Sequence, residues 1–228
     1  MNDNPVIKAV AFDMDGLMFD TEDLYTVIIK RFISSKGATY DPAIKNKVMG
    51  MQAHKAVALT LEHHGLEMDV DEAIAEQHEL IKDYFPANIQ KMPGLDECLS
   101  AVESAGLPKA LTTSSNLEHV GYGFDKFELH SRFNFKLTAE NVTNGKPDPE
   151  IYLKAADNFG VDPANMLVLE DSPAGMAAGV AAGAVVVGIP SLEVADQEFE
   201  DVHFLAESLA DERLLELIAT EAQGNSQA

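Results

Sequence analysis

The stretch "VAFDMDGLMFDTEDLY", residues 10–25, sets Asp13, Asp15 and Asp20 within eight positions, directly behind an apolar run. The run "VIKAVAF" (6–12) is apolar on consecutive positions near its end. That is how a strand covered on both faces of a parallel sheet reads. Similar runs recur at "PKALTT" (108–113), "FKLTA" (135–139), "NMLVLE" (165–170), "AVVVGI" (184–189) and "VHFL" (202–205). Helix signals lie between the later ones. "DPEIYLKAADNFG" offers Asp148 as a cap, Pro149 at the first helical position and Gly160 as a stop. "DSPAGMAAGVAAG" repeats the plan with Ser172, Pro173 and Gly183. Strand and helix alternate, so the expected fold class is α/β, with a Rossmann-like, mainly parallel sheet.

The first two strands do not fit a simple alternation, because an ordinary crossover needs about a dozen residues and here about 90 intervene. The gap reads as an inserted helical domain. Leu24, Val27, Ile28 and Phe32 share one face before Gly37; a second helix follows Pro42 and a third ends near "HHG". Ile74, His78, Ile81 and Phe85 mark a fourth, and the breaker-rich "PANIQKMPG" returns the chain to the core. The expected boundaries are 1–16 and 92–228 for an α/β catalytic core and 17–91 for a helical cap domain.

Composition narrows the function. The chain has 228 residues, with 38 acidic against 16 basic residues and a formal charge of −22. Such a charge opposes binding to nucleic-acid backbones and anionic membranes. An anionic substrate then needs local positive potential from a metal ion, a lysine or helix N-termini. No apolar run approaches the roughly 20 residues of a membrane span, and "MNDNPVIKAV" lacks the features of a signal peptide. One cysteine, Cys98, fits a reducing compartment and reads as packing, so the expected location is the cytoplasm.

In open α/β sheets ligands bind beyond the carboxyl ends of the strands. The first strand ends in Asp13 and Asp15, the second in "TTSSN" with Thr113, Ser114, Ser115 and Asn116, and the fourth in Glu170 and Asp171. A loop before the fourth carries Lys146 in "NGKPDP". Carboxylates converging from two strand ends repel unless a cation lies between them, and few, hard oxygen ligands suit Mg²⁺. Magnesium also suits phosphate, whose oxygens the hydroxyl and N–H groups of "TTSSN" and Lys146 are placed to hold. A carboxylate relieved of repulsion can attack phosphorus and form an aspartyl phosphate, while Asp15 passes a proton to the leaving oxygen. The expected partner is a small phosphorylated metabolite.

Taken together, "FDMDGLMFDT", "ALTTSSN", "GKPDPEIY" and "VLEDSPAGMAAGVAAGA" resemble the four motifs of the haloacid dehalogenase superfamily, in its phosphatase and β-phosphoglucomutase-like branch. The resemblance spans nearly the whole chain. It implies Asp13 as nucleophile, Asp15 as general acid and base, and Thr113 and Lys146 as orienting groups. It also implies Mg²⁺ held by Asp13, the backbone carbonyl of Asp15 and Asp171, with Glu170 beside them. The haloacid-dehalogenating members lack the second aspartate of the first motif, so Asp15 argues against that activity. The insertion corresponds to a helical cap, with Gly50 and Met51 of "KVMGMQAHKA" nearest the substrate. The chain looks closest to sugar-phosphate phosphatases, including the pseudouridine 5′-phosphatase type. The mutase pattern has a histidine where this chain has Tyr25, and a lysine and an arginine where it has Met49 and Ala53. Those differences favour hydrolysis over phosphate transfer.

A rival from another class is a response-regulator receiver, which also combines acids, a hydroxyl, a lysine and Mg²⁺. It places its phosphorylated aspartate on a later strand and has no long helical insertion. Asp20 and Thr21 have two readings, a cap for the first inserted helix or a brace for the catalytic loop. His63 and His64 are neighbours on a helix and point in different directions, which disfavours zinc.

Overall fold

The computed structural model describes residues 5–48, 51, 53–190 and 201–224. The chain divides into two compact units, Met1–Phe19 with Lys91–Ala228, and Asp20–Gln90. It opens with β1 (Ala9–Phe12) and then enters the second unit through α1 (Glu22–Ser35), α2 (Lys45–Val48), α3 (Ala53–His63) and α4 (Val70–Asn88). Back in the first unit come α5 (Leu95–Ser104), β2 (Lys109–Thr112), α6 (Leu117–Lys126), β3 (Phe135–Leu137) and α7 (Glu150–Phe159). The chain continues through β4 (Met166–Glu170), α8 (Pro173–Ala181), β5 (Val185–Gly188), β6 (Phe204–Leu205) and α9 (Glu212–Gly224).

The six strands form one sheet in the order β3-β2-β1-β4-β5-β6, every pair parallel. β1, β2 and β4 are buried at every position, including the polar Lys109 and Thr112 of β2 and Glu170 at the end of β4. On one face α7 and α8 bring Ile151, Tyr152, Ala155 and Met176 against Ala9, Ala11, Met166 and Val168. Near α6, Phe133 meets Phe12 edge-on at 5.8 Å and Phe124 at 5.1 Å.

Helix ends follow local chemistry. Ser172 accepts the Gly175 N–H at 3.1 Å and Pro173 opens α8. In α7 the cap position is Pro149, one residue later than read from the sequence, while Asp148 still accepts the Glu150 N–H at 3.0 Å. Gly160 ends that helix in a left-handed conformation, φ +70°.

Within the second unit Phe32 and Ile33 of α1, Val57 and Leu61 of α3 and Ala73 of α4 form the core. Tyr25 meets the Phe85 ring at 5.0 Å. The fourth helix does not stop at Phe85 but runs through Pro86 to Asn88. Pro86 lies in the last turn, where a missing N–H forfeits a single helical bond, to the Lys82 carbonyl. Near the helix end the Asn88 side-chain amide donates to Tyr84 O at 2.8 Å. Thr21 occupies the cap position of α1, yet its side chain caps nothing, so that reading of Thr21 is not realised.

Candidate functional site

The strand order reverses direction at β1: β2 and β3 extend one edge, β4 to β6 the other. That is the switch point where an open α/β sheet leaves a crevice beyond its carboxyl ends. The register aligns Phe12 with both Leu111 and Leu169, so Asp13 leaves the sheet between Thr112 and Glu170. Asp13 N donates to Leu169 O at 3.0 Å, and the Thr112 hydroxyl donates to Phe12 O at 3.1 Å.

Lys146 Nζ reaches this point from the loop before α7. It donates to Asp13 Oδ1 at 2.5 Å, Glu170 Oε1 at 2.6 Å and Thr112 O at 3.0 Å, with its side chain 6% exposed. The loop is held by Glu150, whose carboxylate accepts the N–H groups of Thr143 at 3.0 Å and Asn144 at 2.8 Å and the Lys154 ammonium at 2.6 Å. Burial pushes the Asp13 carboxyl up, to about 8, against the pull of the Lys146 ammonium; Glu170 and Asp15 push the same way. Burial pulls Lys146 down, but Asp13, Glu170 and Tyr152 outweigh it and hold the ammonium well above its ordinary range.

Asp15 turns to the end of β2. Its Oδ2 accepts the Ser115 hydroxyl at 2.6 Å and the Thr113 hydroxyl at 3.4 Å, while Oδ1 is buried without a hydrogen-bond partner. Thr113 Oγ1 in turn accepts the Ser115 N–H at 3.0 Å. Ser114 is exposed, and Asn116 uses its side-chain oxygen to cap α6 through the His119 N–H at 2.9 Å. Ser115, read from the sequence as one of the phosphate-holding hydroxyls, donates its hydroxyl to Asp15 here. One residue at this site has no role that the sequence singles out: Tyr152, whose hydroxyl donates to Glu170 Oε1 at 2.5 Å, reads there only as helix core. Gly50 lies outside the described residues; Met51 belongs to the second unit and is 46% exposed.

Asp13, Glu170 and Asp171 each offer a carboxylate oxygen, all within 4.8 Å of one another and all buried. Three buried carboxylates facing one ammonium leave negative charge uncompensated, and their hard oxygen donors fit a divalent cation. Gly16 closes over Asp171: at φ +78° its added Cβ would stand 2.1 Å from Asp171 Oδ2, so the chain passes as close as glycine permits. Glu170 is held at both oxygens: Lys146 and Tyr152 engage Oε1, and the Ser172 hydroxyl engages Oε2 at 3.1 Å.

A family profile described as "Haloacid dehalogenase-like hydrolase" matches residues 10–189, from the first strand to the end of the fifth. The chain belongs to the haloacid dehalogenase-like hydrolases. Among relatives of this hydrolase, the "Probable pseudouridine-5'-phosphatase" of Drosophila melanogaster is 37% identical over 217 residues, spanning 91% of this chain and 94% of the fly protein. The "Phosphorylated carbohydrates phosphatase" of Thermotoga maritima is 32% identical over 177 residues, 78% of this chain and 82% of that protein. Crystalline CbbY from Rhodobacter sphaeroides, in complex with phosphate, shares the fold with a TM-score of 0.82 at 22% identity, over 92% of this chain and 100% of that one. Among the described residues of this hydrolase, no helix is long and apolar enough to cross a membrane.

Proposed function

We propose that this haloacid dehalogenase-like hydrolase is a Mg²⁺-dependent phosphomonoesterase that acts on a small, sugar-containing phosphate through an aspartyl phosphate on Asp13. The observation that carries the reading is the buried Asp13 carboxylate at the switch point, paired with Lys146 and within 4.8 Å of the Glu170 and Asp171 oxygens. The fly and Thermotoga relatives, named for phosphorylated pseudouridine and carbohydrates, support the substrate class.

In this reading Asp13, Asp171 and the backbone carbonyl of Asp15 hold Mg²⁺, while Glu170 serves Lys146. The metal, when bound, neutralises the carboxylates and the phosphoryl oxygens and so lowers the repulsion between nucleophile and substrate. Lys146 holds the Asp13 carboxylate through Oδ1, and the Thr113 hydroxyl and strand-end N–H groups orient the phosphoryl group. An Asp13 oxygen forms a bond to phosphorus as the bond to the ester oxygen breaks, and Asp15 gives that oxygen its proton. Asp15 then takes a proton from water, whose oxygen attacks phosphorus and returns Asp13 as a free carboxylate with release of inorganic phosphate. Residues 20–90 would act as the substrate-selecting cap, with Gly50 and Met51 its candidate substrate residues from the sequence.

The test is phosphate release from sugar phosphates, nucleoside monophosphates and pseudouridine 5′-phosphate, with Mg²⁺ or with a chelator. Release is expected only with the metal, and Asp13→Asn is expected to lower kcat by about 10³-fold or more. Wild-type turnover by that variant, or undiminished release in chelator, would overturn the reading. Efficient conversion of β-glucose 1-phosphate to glucose 6-phosphate with a bisphosphate primer would point to a mutase instead.

A further inference from the structure

Tyr152 lies on the buried face of α7 among Ile151, Ala155, Ala156 and Met176, where phenylalanine would fill the same hydrocarbon space. Packing alone therefore does not require its hydroxyl. That hydroxyl donates to Glu170 Oε1 at 2.5 Å, and both residues are 0% exposed. The same carboxylate oxygen accepts Lys146 Nζ at 2.6 Å, and Nζ stands 5.2 Å from the Tyr152 ring centroid. The second Glu170 oxygen is held by the Ser172 hydroxyl at 3.1 Å and the Ser172 N–H at 3.3 Å. Both oxygens of that carboxylate are thus fixed from the α7 or α8 side.

We propose that Tyr152 is a positioning residue for the hydrolysis, its hydroxyl sharing Glu170 with Lys146 and so setting how far the ammonium leans toward Asp13. The inference rests on the phosphomonoesterase reading above. Lys146 lies between two carboxylates that compete for one ammonium in a dry site, where such competition is strong. A phenol hydrogen bond spreads part of the Glu170 charge onto Tyr152 and weakens its hold. Without the hydroxyl, Glu170 draws the ammonium to itself, and the Asp13 carboxylate loses the contact that fixes its attacking orientation. The effect belongs mainly on turnover, because in the phosphomonoesterase reading Lys146 acts on Asp13, while the Thr113 hydroxyl and the strand-end N–H groups that orient the phosphoryl group stay in place.

Tyr152→Phe removes the hydroxyl and keeps the ring. It is expected to lower kcat by about tenfold, the scale of a lost hydrogen bond to a charged group, with KM within about twofold. In a Glu170→Gln background the same change is expected to cost less than about twofold, because the two residues act through one contact. A crystal structure of Tyr152→Phe is expected to show Lys146 Nζ beyond about 3.5 Å from Asp13 Oδ1. Wild-type kcat, a change in KM alone, or a loss undiminished in the Glu170→Gln background would overturn the proposal. If the wild-type chain releases no phosphate from any ester, the hydrolase reading fails. The crystal structure then still decides the role of Tyr152, and an unmoved ammonium would sink it.

Discussion

Gly175 has no room for a methyl group, since a Cβ there would stand 1.9 Å from Glu170 Oε1 and 2.1 Å from Oε2. The carboxylate cannot swing away, because Lys146, Tyr152 and Ser172 all hold it. Gly175→Ala is therefore expected to displace Glu170, lowering kcat at least about tenfold and stability by about 1–3 kcal/mol, the usual range for overpacking. Denaturant unfolding and phosphate release measure the two effects. Gly121→Ala is the control: its Cβ would meet only Asp125 Oδ2 at 3.6 Å, and a helical alanine is neutral or mildly stabilising. Equal losses in both variants would show that helix glycines, rather than the Glu170 contact, matter. At this scale Asp13, Asp15, Lys146, Glu170 and Asp171 were legible in the sequence, because a charge at the end of a buried strand is costly unless a counter-charge or a ligand meets it there. Tyr152 was not, because "PEIYLKAA" places it in an apolar stripe with Ile151, Ala155 and Ala156, and spacing does not say where a hydroxyl points.

At the scale of elements, Lys146 is delivered by a loop whose position depends on α7. Glu150 in the first turn of that helix accepts backbone N–H groups of Thr143 and Asn144 and is bridged to Lys154. The Lys154 hydrogen bond first, and then those two N–H groups, pull its carboxyl down to about 2. A carboxylate with a depressed folded pKa stabilises the fold above its unfolded value and loses that contribution as pH falls toward the folded one. The melting temperature of the wild-type chain is thus expected to exceed that of Glu150→Gln at pH 7 and pH 5, with the gap shrinking as pH falls from about 4.5 toward about 2. The same variant is expected to lose about two- to fivefold in kcat at pH 7, since a loosened loop misplaces Lys146. A gap that widens in acid would contradict the assignment. The elements themselves were largely readable: each expected strand run contains an observed strand, the central β1, β2 and β4 through full burial and the edge strands β3 and β6 while only partly buried. Their ends were less so. α4 continues through Pro86 to Asn88 because a proline in the last turn forfeits only one helical hydrogen bond, and the run of breakers after Phe85 does not say which of them ends the helix.

Over the whole molecule, 38 acidic residues face 16 basic ones, and among the described residues several of the bases already lie in ion pairs. Lys36 pairs with Glu76, Lys91 with Asp96, Lys109 and Arg132 with Glu103, and Arg213 with Asp211. The remaining acids repel one another across the surface, which weakens the compact state. Added salt acts on both terms. It screens the exposed ion pairs, each worth about 0–1 kcal/mol, and it screens the repulsion of a formal charge of −22, the larger quantity. The melting temperature is therefore expected to rise by about 3 °C or more between roughly 10 mM and 0.5 M NaCl, with KCl acting alike. The Lys146 network lies inside the protein and is screened far less than surface charge, so the same salt range is expected to leave kcat nearly constant while stability climbs. A melting temperature that is flat or falls with salt would mean that the ion pairs outweigh the repulsion, and that the excess acids are spaced too widely to act on the fold.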